Sequence, residues 1–87
     1  MISDHYKIDF ALPIDEGRFT LQLSADVDVH HSDLYYVVKN IRRRDLPDRA
    51  LLPEITIKKL GSRWVHVDSE KETQLSEAAG QAIDALP

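Results

Sequence analysis

The sequence predicts an α+β domain, a five-stranded antiparallel β-meander packed on one face by a single C-terminal α-helix. Three features carry that prediction. Across residues 18–30, Phe19, Leu21, Leu23, Ala25, Val27 and Val29 alternate with Thr20, Gln22, Ser24, Asp26, Asp28 and His30, which is the period of a strand with one dry and one wet face. Gly61-Ser62 stands between two strand-like runs as the pair expected of a type II′ hairpin turn. After Asp68 the apolar period lengthens from that of a strand to that of a helix. Consecutive hairpins followed by one helix give an antiparallel sheet with its helix on one face.

The first strand covers residues 6–12, where Tyr6, Ile8, Phe10 and Leu12 share a parity. Pro13 and Asp15-Glu16-Gly17 supply turn chemistry, Gly17 accepting the positive φ that closes a hairpin. The long alternating strand follows, and His31-Ser32-Asp33 turns it into a third at residues 34–43. There Leu34, Tyr36 and Val38 lie on one parity and Tyr35, Val37 and Ile41 on the other, the pattern of a central strand buried on both faces. Residues 44–53 break the pattern with Asp45, Pro47, Asp48 and Pro53. They read as a packed surface loop that Leu46, Leu51 and Leu52 pin to the body. Residues 54–60 and 63–67 form the fourth and fifth strands around the Gly61-Ser62 turn.

At the helix, Ser69 followed by Glu72 fits a capping box, and Asp68, Glu70 and Glu72 suit the positive end of the helix dipole. Leu75, Ala79, Ala82, Ile83 and Leu86 make one apolar stripe, with Glu77, Gln81 and Asp84 turned away. Gly80 costs about 1 kcal/mol relative to alanine inside a helix, and its alanine-rich neighbourhood points to a close backbone contact. Five strands at about 4.8 Å spacing make a flat sheet roughly 24 Å wide, against about 10–12 Å for a helix with its side chains. Part of the dry face is then left uncovered. That shortage, with the two-sided third strand, leads us to expect a homodimer or a protein partner on the sheet; the alternative is a strongly twisted monomer whose 44–53 loop covers the remainder.

The bulk properties narrow the classes. A chain of 87 residues is expected to form one domain, residues 1–87, and 43% hydrophobic with 30% charged residues is the balance of a soluble globular protein. No apolar run is long enough to span a bilayer, and the first residues have no basic segment followed by an apolar one, so a cytoplasmic location without a secretory leader is expected. With no cysteine, disulfides and thiolate metal sites within the chain are excluded. The net charge of −4 conceals a segregation: residues 1–33 carry seven acids against Lys7 and Arg18, residues 34–66 carry eight bases against Asp45, Asp48 and Glu54, and the remainder is acidic again. Such a pattern can be neutralised within the molecule or between copies of it.

The function read from these residues is that of a small non-enzymatic protein-interaction or self-association domain. Tyr35, Val37, Arg42, Arg43, Arg44 and Trp64 are its candidate contact residues, because aromatics and arginine are favoured interface anchors. Trp64 admits two orientations: outward if Val65 and Val67 face the core, or inward as the largest core residue. A second reading places a metal, with hydrolytic chemistry, at Asp26, Asp28, His30 and His31, whose carboxylate and imidazole groups suit zinc, manganese or iron. Alternate residues of one strand stand about 6.5–7 Å apart, however, too far to close a coordination sphere unaided, and a solvated acidic face opposite a basic strand accounts for the same residues. A third reading is single-stranded nucleic acid held by Arg42, Arg43 and Arg44 with Tyr35, Tyr36 and Trp64, against which stand the acidic balance of the chain and its pI of about 5.4. No nucleophile elbow, phosphate-binding glycine loop or closed metal motif occurs, and no cofactor is expected.

Overall fold

A computed structural model describes residues 4–30, 34–46 and 48–86. Five strands, β1 (Asp4–Ile14), β2 (Phe19–His30), β3 (Tyr35–Arg43), β4 (Ile55–Leu60) and β5 (Arg63–His66), pair antiparallel in sequence order, and α1 (Gln74–Asp84) follows them. This is the predicted α+β meander. Among the described residues no helix is long and apolar enough to cross a membrane. The alternation of residues 18–30 does its work in β2, where Leu23, Ala25 and Val27 are fully buried and Val29 nearly so. β1 and β2 pair from Asp4↔Val29 to Ile14↔Phe19, a ladder of about 35 Å at the rise of an extended strand, and this hairpin sets the 38 Å long axis.

The expectation of an uncovered dry face holds only at the tip of the β1–β2 hairpin, where Ile14 and Phe19 stay exposed, and fails along the rest of the sheet. α1 packs against β1, β4 and β5, the first strand and the last two. One helix reaches both sides of a five-stranded sheet only if the sheet curls, so β2 and β3 form the floor of a trough whose mouth α1 closes. Val27, Val38, Ile41 and Ile57 have no solvent exposure. Curvature lets the apolar faces of the strands cover one another, which a flat layer cannot do.

The two-sided apolar pattern of β3 also has another cause. Between Ser24↔Arg42 and Asp26↔Lys39 the ladder advances two residues on β2 but three on β3, so β3 carries a bulge. Asn40 absorbs it at φ 54°, a left-handed conformation that asparagine tolerates better than most residues. The extra residue reverses the parity of the rest of the strand. Tyr36, Val38 and Ile41 all join the core, while Tyr35 and Val37 remain half-buried on the outer face. A strand read as buried on both faces is thus a one-faced strand with a shift of phase.

β5 shows which orientation Trp64 takes. Ile57 faces the core and pairs with His66, so Trp64, two residues before His66, faces the core as well. It is 3% exposed, and an outward contact role is ruled out by this parity. Val65, on the opposite face, is also fully buried. Gly80 lies against the indole: an ideal Cβ there would stand 1.9 Å from Trp64 Cγ, so the close contact expected of this glycine is real. Gly61 takes φ 66° between Leu60 and Arg63, which pair directly, as the first central residue of a II′ turn requires.

The helix starts later than Ser69. Glu70 adopts φ 56°, its N–H bonds to the His66 carbonyl at 2.8 Å, and the His66 N–H bonds to the Lys71 carbonyl at 2.9 Å. These bonds fold residues 66–71 back on the end of β5 and leave no helical backbone there. Thr73 is the N-cap instead, in a reciprocal box with Ser76: the Thr73 hydroxyl accepts from Ser76 N at 3.0 Å, and Ser76 Oγ accepts from Thr73 N at 2.8 Å. The fully buried Ser76 hydroxyl also lies 2.9 Å from the Trp64 carbonyl oxygen, tying the first turn of α1 to β5.

Candidate functional site

The wet faces of β1, β2 and β3 form one outer surface, and antiparallel register puts the acids of β2 beside the bases of β3. Asp26 pairs with Lys39 across the ladder, and Ser24 with Arg42. Asp28 sits between two bases: His5 Nδ1 lies 2.7 Å from one carboxylate oxygen and Lys39 Nζ 2.7 Å from the other. The Lys39 hydrogen bond, followed by that of His5, holds the Asp28 carboxyl below the usual aspartate range against the smaller effect of burial, and the same contact raises Lys39. The Asn40 side chain, turned toward β2 by the bulge, donates to Asp26 Oδ2 at 2.9 Å. Asp26 Oδ1 is buried without a hydrogen bond, 3.8 Å from Arg42. The His30 ring packs against that of Tyr35, centroids 4.7 Å apart and planes tilted by 57°.

This is a ladder of opposite charges, the arrangement expected if the acidic face is answered by the basic strand. Among the described residues no three histidine, aspartate or glutamate side chains converge to hold a metal ion. The reason is geometric: Asp26, Asp28 and His30 stand in a row, and Asn40, Lys39 and Tyr35 occupy the space beside each in turn. His31 lies outside the described residues.

The arginines are engaged in the same way. Arg42 donates to the Asn40 carbonyl at 2.7 Å, Arg43 grips Asp45 through two bonds of 2.9 and 2.6 Å, and Arg44 lies 3.7 Å from Asp9, which accepts from the Ser24 hydroxyl. The aromatic platforms imagined beside them are divided: Tyr36 and Trp64 meet edge to face in the core, centroids 5.3 Å apart, and only Tyr35 is on the outer face. Arg42, Tyr35 and Val37 thus share one face, whereas Trp64 belongs to the opposite one.

A different group of residues is exposed together. In a meander, the β1–β2 turn and the β3–β4 loop lie at the same end of the sheet. At that end Ile14 and Phe19, paired across the turn, are 37% and 62% exposed. On the loop, Leu46 and Leu51 are 50% and 46% exposed and line a cavity of about 250 Å³ with Arg43, Arg49 and Ala50. Of the three leucines expected to pin this loop, Leu52 alone packs its side chain on the core, while the backbone N–H groups of both Leu51 and Leu52 bond to the Ile41 carbonyl, at 2.6 and 3.4 Å. The alternation assigned Phe19 to the dry face, and it does have that parity; only the position of the turn relative to the trough shows that nothing covers it. Leu34 and Leu60 are exposed at the opposite end, beside the β2–β3 and β4–β5 connections. The chain matches no protein-family profile, no curated protein and no solved structure.

Proposed function

We propose that this chain is a small non-enzymatic protein-interaction domain that associates through the end of the sheet formed by the β1–β2 turn and the β3–β4 loop. One observation carries the reading: Ile14, Phe19, Leu46 and Leu51 are exposed at that end, while the trough beside them is closed. Large apolar side chains gathered at one end of a small fold favour a contact that removes them from water, at about 25 cal/mol per Å² buried. The outer face supports the reading less, because its charged groups already answer one another within the chain. Beyond Ile14 and Phe19 the dry face supplies no driving force, since the fold itself buries it.

Sedimentation velocity from low micromolar to submillimolar protein tests this. Reversible self-association is expected, and Phe19→Ser together with Leu51→Ser is expected to abolish it without lowering thermal stability. A monomer at every concentration, or association indifferent to both substitutions, overturns the reading.

A further inference from the structure

The two halves of this end differ in shape and in charge. The β1–β2 ladder runs on to Ile14↔Phe19, whereas β3 pairs with β2 only as far as Leu23↔Arg43. The hairpin therefore overhangs its neighbour by four residues, about 13 Å of extended strand. The loop after β3 leaves at the foot of that overhang, where Arg44 N–H bonds to the Gln22 carbonyl at 3.0 Å. The end of the molecule is a step: a projecting tip with Ile14 and Phe19, and beside it a recess with Leu46 and Leu51.

The charges differ too. The tip bears Asp15 and Glu16 followed by Arg18, and the recess bears Arg49 preceded by Asp48. Among the described residues none of these five side chains has an ion-pair partner. A tip that is net acidic and apolar, beside a recess with a free guanidinium, two exposed leucines and a cavity, is a surface complementary to its own twofold image. We infer that two copies of this chain dimerise about a twofold axis at this end, the β1–β2 tip of each docking in the β3–β4 recess of the other. Apolar contact is between Ile14 and Phe19 of one copy and Leu46 and Leu51 of its partner, and Asp15 and Glu16 meet Arg49. Because both contacts form at once, the assembly closes as a dimer.

This inference rests on the proposed association through the same end, and charge reversal separates the two. Glu16→Lys and Arg49→Glu each place like charges at both contacts of a homodimer, so each variant alone is expected to dimerise about tenfold more weakly or worse. In an equimolar mixture the heterodimer has one native contact and one in which the reversed tip meets the reversed recess. Dimerisation near the wild-type strength is therefore expected on mixing, read by sedimentation velocity and by native mass spectrometry with one variant isotopically labelled. Both sites are exposed, and unchanged melting of each variant confirms folding. If the mixture does not recover, if the single variants dimerise like wild type, or if wild type forms open higher oligomers, the reciprocal dimer is overturned while the interaction surface stands, provided Phe19→Ser still abolishes association. A wild-type monomer at all concentrations overturns both.

Discussion

Gly80 shows how much one missing methyl group decides. Alanine is the better helix former by about 1 kcal/mol, so on propensity alone Gly80→Ala should stabilise α1. The Cβ would instead fall 1.9 to 2.3 Å from three atoms of the Trp64 ring, which the core, Tyr36 and a hydrogen bond from the indole N–H to Asp84 at 3.1 Å hold in place. Overpacking outweighs propensity. Gly80→Ala is expected to lose about 3 kcal/mol in urea unfolding, and markedly less in a Trp64→Leu background, where the ring is gone. A cost unaffected by Trp64→Leu would show that the contact is not the cause. The glycine signals a close approach in the sequence already, but its partner does not, because Trp64 could equally have faced out.

At the scale of elements, β3 is the instructive case. Its bulge depends on Asn40 holding φ 54° and donating to Asp26. Asn40→Val should cost about 1–2 kcal/mol for the left-handed backbone alone, and more for the lost hydrogen bond. Asn40→Gly keeps the backbone geometry and should be the milder change. Equilibrium unfolding of both variants checks the order, and the reverse order would mean that the bulge is not what the side chain serves. Strand existence and pairing are legible from alternation and turn chemistry, as in β2 and at Gly61-Ser62. The bulge is not legible, because a phase shift within one strand and a strand buried on both faces leave the same apolar pattern. The capping box failed for a related reason: Ser69-x-x-Glu72 has the right spacing, but bonds from His66 hold residues 66–71 in a turn.

For the whole molecule, two carboxylates link separate parts of the fold. Asp28 joins β1, β2 and β3 through His5 and Lys39, and Asp84 joins α1 to β4 and β5 through Lys59 and Trp64. The Trp64 N–H foremost, with Lys59, holds Asp84 below the ordinary 3.8, against burial that pushes the other way; Lys39 foremost, then His5, does the same for Asp28. A carboxyl whose pKa is lower in the folded state gives stability that is complete above its unfolded value and lost as pH falls through the folded one. Melting temperature should therefore drop most steeply below about pH 4. Asp28→Asn with Asp84→Asn should lower it at neutral pH and flatten that acid slope. An unchanged slope in the double variant would assign acid sensitivity elsewhere.

The candidate site separates along the same line. The charge ladder was within reach of the sequence, since acids on β2 and bases on β3 become neighbours as soon as the strands pair antiparallel. The exposed end was not, because Phe19 and Leu46 are ordinary apolar residues until the positions of turn and loop relative to the trough are known. By itself the sequence determined the elements, their order and their pairing, because periodicity and turn residues are local and act within a few residues. Only the tertiary structure decided the curl of the sheet, the phase of β3, the orientation of Trp64 and which apolar residues remain in water. Those depend on how far a sheet bends around one helix, a property of the packed assembly that no short window of residues contains.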